Sequence, residues 1–268
     1  MQIESPLPSQ HSRPPIDSLM DLPFDVLVLI LVGCILPMPL PLHVTTLNIH
    51  LTDHRSLSDV NDFEEVFFLS PSVQYQEVYA AKKANVTTDL TFAWLRRCGP
   101  IPEALGYFRW LEYLTIKSCV CPGPIPSSII TLTELGVLSL EGCRLSGLIP
   151  VELGQLTKLE HLSLADNEQL YGPLYAEWGS LTLLHFLDLS GTGVTGLIPP
   201  EWGNMGNLHT LILTSTRMNG PIPRELGRCT ELQRLELTDS STIGVIPGEL
   251  RNVPFLIVEG NDEVIFEV

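Results

Sequence analysis

From residue 99 onward, apolar residues recur along the chain with one fixed spacing. Each unit carries the pattern L-x-x-L-x-L, which in the third unit is Leu159, Leu162 and Leu164. Each unit opens on a glycine, usually as Gly-x-Ile-Pro, and the opening glycines are 24 residues apart, with a single step of 25. A period of roughly 20–29 residues with this leucine spacing predicts stacked units that share one apolar core. The units open at Gly99, Gly123, Gly147, Gly172, Gly196, Gly220 and Gly244.

Each unit predicts one short strand at its leucines and one return segment after its proline. The strands of successive units are expected to pair side by side at about 4.8 Å. The proline has no N–H to donate to a strand ladder, so it belongs on the return side. The opening glycine suits a backbone bend that a side chain would obstruct.

The units resemble the long, IP-containing class of leucine-rich repeat, LxxLxLxxNxLxGxIPxxLGxL, familiar from plant receptor kinases and their secreted relatives. The resemblance extends from Gly99 to about Val258. It implies an α/β solenoid, a right-handed superhelix whose parallel strands line a concave face. The asparagine of this repeat bonds the backbone of the neighbouring coil, and here Asn167 occupies its position. In other units the position holds small residues, most of them able to donate a hydrogen bond inside a buried turn: Cys119, Cys143, Thr192, Thr216 and Ser240.

Variable residues beside the inner leucines form the candidate binding surface. Because side chains alternate along a strand, these residues point to the concave side while the leucines point inward. Aromatic residues and arginine dominate interface energetics, so exposed residues of those types are candidate anchors. The alternative is a set of scattered surface side chains without a partner. We predict a partner-binding surface made of Tyr113, Val137, His161, Phe186, Asp188, Ile212, Arg234 and Glu236.

The sequence divides into three segments. Residues 1–20 are polar and contain several prolines, which predicts a disordered tail. Residues 21–98 predict a helical N-terminal cap, and residues 99–268 predict the leucine-rich repeat domain with about seven repeats of 24 residues. Within the cap, the pattern predicts short helices over 59–69, 71–83 and 88–97.

The apolar run from Val26 to Leu36 has three interpretations. Its length suits the core of a signal peptide or membrane anchor. Four acidic residues and one arginine precede it, whereas a signal peptide carries net positive charge there. A second interpretation is a plain hydrophobic helix that covers the open end of the repeat stack. The third rests on a motif.

The residues LPFDVLVLI resemble LPxDVLxxI, the opening of F-box domains, which dock an adaptor of cullin ubiquitin ligases. The match covers about nine residues. The resemblance implies an adaptor that brings a bound target to ubiquitin ligation. Its docking helix would be formed by Leu22, Pro23, Asp25, Val26, Leu27 and Ile30.

The charge balance restricts the classes of partner. Lys and Arg total 15 against 31 Asp and Glu, so the net charge is -16. Such a surface repels phosphate, and we therefore expect neither a nucleic-acid partner nor association with anionic membranes. Six cysteines are too few and too dispersed for a disulfide scaffold, and no spacing of ligand residues predicts a metal site. We find no catalytic set and no phosphate-binding loop, so we predict no catalytic residue and no cofactor.

We therefore predict a non-enzymatic module that binds a protein on its concave face. The favoured version is a cytoplasmic or nuclear adaptor whose F-box-like helix links a target to a ubiquitin ligase. The alternative is a secreted or membrane-anchored recognition protein, similar to receptor ectodomains or to inhibitors of cell-wall-degrading enzymes. Cleavage after the Val26 to Leu36 run would favour that alternative, as would a glycan on Asn85, which lies in an Asn-Val-Thr sequon.

Overall fold

The computed structural model describes residues 88–93, 99–242 and 246–258, all within one compact unit. In these ranges the regular structure consists of parallel strands and short 3-10 helices, without an α-helix. No helix within them is long and apolar enough to cross a membrane. The tail, the predicted helices over 59–69 and 71–83, and the extent of the cap therefore stay predictions. Also outside the described ranges lie Leu22, Pro23, Asp25, Val26, Leu27, Ile30 and Asn85.

One parallel sheet of eight strands follows the predicted leucine positions. Its neighbours come from successive units, so their order across the sheet is their order along the chain. We call its solvent-facing side the concave face. Its strands are β1 (Asp89–Ala93), β2 (Tyr113–Lys117), β3 (Val137–Ser139), β5 (His161–Ser163), β7 (Phe186–Asp188), β9 (Thr210–Ile212), β11 (Arg234–Glu236) and β13 (Phe255–Ile257).

The first strand shows that the helix predicted over residues 88–97 was wrong. Asp89–Ala93 is extended and pairs in parallel with β2, so that Leu90 lies opposite Leu114 and is buried. The offset between these two leucines is 24 residues, which is the repeat period. As a strand, this segment places Leu90 in the shared core and covers the ladder edge of β2, which a helix would leave unpaired. The sheet therefore begins before Gly99.

Each return segment is a short 3-10 helix that begins directly after an extended residue. That residue is a proline in six of the seven segments and Tyr175 in the remaining one. The predicted position of the prolines on the return side is thus confirmed. The segments are Glu103–Tyr107, Ser127–Thr131, Val151–Gln155, Ala176–Ser180, Pro200–Asn204, Arg224–Arg228 and Gly248–Leu250.

A second parallel sheet joins the opening glycines of successive units. Gly147 and Gly196 lie in it with φ of 93° and 88°, a region that favours glycine because it has no Cβ. The Leu197 side chain covers Gly220 on the following coil, so a Cβ there would overlap it. The strands of this sheet are β4 (Ser146–Leu148), β6 (Gln169–Pro173), β8 (Gly193–Gly196), β10 (Arg217–Gly220) and β12 (Ser241–Thr242).

The core between the two sheets and the return segments contains the repeated leucines and two tryptophans. Trp178 and Trp202 are both buried, and their rings stack with centroids 6.1 Å apart and planes 5° apart. Their indole N–H groups donate to backbone carbonyls of the preceding coil, at 3.3 Å for Val151 O and 2.9 Å for Tyr175 O. Both side chains therefore connect coils inside the core and are not part of the binding surface.

The turn after each strand is held by the residue at the asparagine position. Asn167 accepts hydrogen bonds from the backbone N–H groups of Cys143 and Leu145 on the preceding coil, at 3.1 and 2.9 Å. Thr192 instead donates to Leu189 O within its own coil, at 2.6 Å. Thr216 makes the equivalent bond in the next unit. Thr192 and Thr216 thus bond within their own turns, whereas Asn167, and the Cys143 thiol through a 3.0 Å contact to Ile116 O, also link two coils.

Candidate protein-binding surface

The strand register brings the predicted surface residues into two adjacent columns on the concave face. Val137 lies opposite both Tyr113 and His161, and Phe186 lies opposite His161 on the other side. Because the side-chain alternation is the same in every strand, each column has a single depth and direction. The first column continues to Thr210 and Arg234, and the second contains Asp188, Ile212 and Glu236. The predicted alignment is thus observed, whereas the binding role stays a prediction.

An apolar and aromatic row occupies the first column over four successive strands. Tyr113 is 48% exposed, and Val137, His161 and Phe186 are half-buried. The rings of His161 and Phe186 stack face to face, with centroids 4.4 Å apart and planes 4° apart. That separation is close to the spacing of neighbouring strands, so the two rings lie one above the other along the stack of coils. The stacking holds both rings in a fixed orientation on the concave face.

Charged side chains of the concave face are mostly paired with one another. Lys117 Nζ lies 3.0 Å from a carboxylate oxygen of Glu141 on the adjacent coil. Arg234 donates from Nε to Glu236 at 2.8 Å and also from its Nη2 atom. The side chains of Lys117 and Glu141 are 47% and 40% exposed, so this pair contributes at most about 1 kcal/mol to stability. As a result, Lys117 and Arg234 each lie on the concave face together with the carboxylate that offsets their charge.

Asp188 differs from these two glutamates. Its Oδ1 accepts hydrogen bonds from Ser190 N at 2.9 Å and from Ser190 Oγ at 2.6 Å, within its own turn. Among the described residues it forms no ion pair at the distances that define the pairs above. Its carboxylate is half-buried and follows Phe186 by two positions on the same strand, so both side chains point to the concave face.

Small residues form the floor of the second column. Ser139 and Ser163 lie opposite each other and are 2% and 3% exposed. Ser163 in turn lies opposite Asp188. The hydroxyl of Ser139 is buried without a hydrogen-bond partner among the described residues. Such unpaired buried polar groups carry a desolvation penalty of about 1–3 kcal/mol.

The environment of His161 determines its charge at neutral pH. Burial of the imidazole and the positive charge of Lys117 hold the pKa of His161 below its usual 6.5, against the opposing charges of Asp188 and Glu141. The ring is therefore neutral at pH 7 and stacks on Phe186 as an uncharged aromatic group.

Two features of this surface were missed in the sequence. The sequence placed His161 and Phe186 in one column, as observed, but it did not predict that their rings stack, because ring orientation depends on side-chain rotamers. Phe255 lies opposite Arg234 and extends the first column by one strand, with 62% of its surface exposed. It follows Arg234 by 21 residues rather than 24, so a fixed period does not find it.

Two further described histidines, His185 and His209, lie outside the two columns. His185 and His209 lie with ring centroids 5.3 Å apart, one residue before the first column. His209 Nδ1 lies 2.7 Å from the carbonyl oxygen of Asn207. No group of three His, Cys, Asp or Glu side chains comes close enough there to hold a metal ion.

Comparison with known proteins identifies the repeat. The family model described as Leucine Rich Repeat matches residues 134–156 and 183–205. Each match includes one strand of the concave face and the return segment that follows it, β3 with Val151–Gln155 in the first and β7 with Pro200–Asn204 in the second. No curated protein shows significant similarity to the chain.

Solved structures of plant receptors resemble the described fold. The ectodomain of the Arabidopsis thaliana receptor kinase GASSHO1/SCHENGEN3, in complex with CASPARIAN STRIP INTEGRITY FACTOR 2, is 32% identical over 65% of this chain and 20% of that one, with a TM-score of 0.62. The plant peptide hormone receptor RGFR1, in complex with RGF2, is 33% identical over 64% and 32%, with a TM-score of 0.55. The Arabidopsis receptor kinase HAESA, in complex with the peptide hormone IDA and the co-receptor SERK1, is 31% identical over 59% and 27%, with a TM-score of 0.54.

The matched region thus spans between a fifth and a third of the length of these receptor structures. The match to the first two covers about two-thirds of this chain. The sequence period, the strand register and the comparisons agree that the chain carries leucine-rich repeats, stacked as they are in plant receptor ectodomains.

Proposed function

We propose that this protein recognises a protein or peptide segment on its concave face, as a secreted or membrane-attached recognition protein. The observation that carries the proposal is the ordered row from Tyr113 to Phe186, which exposes aromatic surface on a rigid sheet. Such a row binds with little loss of side-chain entropy, since its rings are already held in place. It presents no nucleophile or acid–base pair, which favours binding over catalysis.

The solved structures support a location outside the cytosol. GASSHO1/SCHENGEN3 is described as a receptor ectodomain, and RGFR1 and HAESA are described in complex with peptide hormones. Their likeness to this chain favours an extracellular role over the cytoplasmic or nuclear adaptor. A peptide ligand would lie across several strands and contact one or two side chains on each.

Replacing Tyr113 by alanine is expected to weaken binding at least tenfold, because an exposed aromatic anchor near one end of the row is removed. The probe is a displayed library of random linear peptides selected on the full-length protein. Affinities of selected peptides are then measured by titration calorimetry for the wild type and for Tyr113→Ala.

The matched control is Tyr171→Ala in the second sheet, where the tyrosine is 53% exposed and lies away from the concave face. It should bind the selected peptides as the wild type does. Selection of no peptide, or equal affinity for wild type and Tyr113→Ala, would count against recognition by the concave face.

The ubiquitin-ligase adaptor is the second candidate function, and its support is the LPFDVLVLI motif at residues 22–30. The two candidates differ in what happens to the N-terminus. A secreted or anchored protein is expected to show either a new N-terminus between Cys34 and Leu42 or recovery in membranes, since the Val26 to Leu36 run then acts as a targeting signal.

The measurement is N-terminal sequencing of a C-terminally tagged protein after cell fractionation. An intact Met1 in the soluble cytosolic fraction would contradict the extracellular role. It would make pulldown of a cullin-ligase adaptor by the full chain, compared with an Asp25→Lys variant, the next experiment.

A further inference from the structure

We propose that Asp188 and the Phe186–His161 stack form a binding site for an arginine side chain of the partner. This inference rests on the proposed function and names the chemistry that the concave face would select. An arginine guanidinium is planar, stacks on aromatic faces and pairs with carboxylates through two parallel hydrogen bonds. The site offers both kinds of contact within one strand and its neighbour.

The carboxylate is available to a cation. Both hydrogen bonds to Asp188 from its own turn end on Oδ1, so Oδ2 keeps its capacity to accept a hydrogen bond. Two glutamates on the same face, Glu141 and Glu236, are each paired with a basic residue, whereas Asp89 lies opposite Tyr113 at the far end of the first column. Asp188 lies between those pairs along the sheet, forms no ion pair among the described residues, and is the carboxylate that lies beside the aromatic stack.

The aromatic stack lies beside this carboxylate. Phe186 precedes Asp188 by two residues on β7, a distance of about 7 Å along the strand. One face of the Phe186 ring contacts His161, and the residue next to Phe186 on the following strand is Thr210, which is much smaller. A planar group can therefore lie above Thr210, against the second face of Phe186 and beside Asp188. Cation–π contact at such a site adds to the ion pair.

The charges facing the site agree with a basic partner. Lys117 and Arg234 lie further along the face, and Glu141 and Glu236 offset their charges. The chain as a whole carries a net charge of -16, which favours approach of a basic segment.

The experiment uses the same library of random linear peptides selected on the full-length protein. Selected peptides are expected to be enriched in arginine. Replacing that arginine by citrulline, which keeps the shape and removes the charge, should weaken binding about tenfold or more. Asp188→Asn should weaken binding of the arginine peptide by a similar factor and should not weaken the citrulline peptide further, since the two changes remove the same contact.

Asn at position 188 keeps an oxygen that accepts from Ser190, so the turn is expected to be retained, which thermal unfolding checks. The control is Asp166→Asn, an exposed turn carboxylate on the preceding coil outside the concave columns, and it should bind as the wild type does. Citrulline peptides or Asp188→Asn protein with unchanged affinity would overturn the arginine site. If Tyr113→Ala still weakens those peptides, the concave face remains the binding surface; if no peptide is selected at all, both proposals fail.

Discussion

Replacing Gly203 by alanine is expected to destabilise the protein by about 3 kcal/mol. Gly203 lies in the return helix Pro200–Asn204, where the next coil packs directly over it. A Cβ at this position would overlap the carbonyl oxygen of Glu225 and lie 2.8 Å from its carbonyl carbon. Because the obstacle is backbone, it cannot rotate away, and two coils would have to separate along the whole return side.

The matched control is Gly206→Ala, only three residues away. A Cβ on Gly206 would meet nothing within 4 Å, and its backbone is outside the left-handed region. Alanine there should be neutral or stabilising by about 0.5 kcal/mol, since it restricts the unfolded chain. Urea unfolding of both variants tests this. For Gly203→Ala, a melting temperature lowered by about 10 °C is expected in parallel. Equal stability of the two variants would show that the coils tolerate a wider spacing.

This glycine also shows what a repeat pattern predicts well. The periodic leucines identify the strand of each unit, and the structure places them in register from β2 to β11, so that the concave columns could be written down from spacing alone. Steric packing between coils makes that possible: a residue at one position of the repeat meets the same position of the next unit. Glycine recurs in the return helix because the following coil packs closely against this position, where a Cβ would not fit.

Where the period is broken, sequence reasoning fails for physical reasons. Residues 88–97 carry no opening glycine or proline, so local helix signals were followed, although pairing with β2 determines the outcome at Asp89–Ala93. Phe255 was missed because the last coil is shorter. In both cases contact with the neighbouring coil determines the structure. The local sequence of a segment does not show which residues of the neighbouring coil it will contact.

The candidate site was predicted as positions, not as interactions. That His161 stacks on Phe186, and that Glu141 pairs with Lys117, depends on rotamers chosen across strands. Those choices decide which groups a partner can use. Glu141 and Glu236 form ion pairs with basic side chains, whereas Asp188 forms none among the described residues. The alternation of residues along each strand does not reveal this difference.

Asn167 is expected to be the most sensitive side chain in the stack. It is fully buried, accepts from Cys143 N and Leu145 N, and donates to Leu140 O on the preceding coil at 2.7 Å. Asn167→Ala would leave two buried N–H groups and a carbonyl without partners at about 1–3 kcal/mol each, reduced by local relaxation. We expect a loss of about 4 kcal/mol in the free energy of unfolding, measured by urea denaturation.

Two further variants separate the link between coils from the turn itself. Asn167→Thr should recover about 1 kcal/mol relative to alanine, because the threonines at the same position of later units bond only their own coil, as Thr192 does to Leu189 O. Asn207→Ala is the control for the type of substitution: Asn207 is exposed and makes one bond, to Thr182 O at 2.8 Å, so its loss should stay within about 0.5 kcal/mol. If Asn167→Thr were as stable as the wild type, the bonds to Cys143 and Leu145 would contribute nothing, and the remaining coils would be held by leucine packing alone.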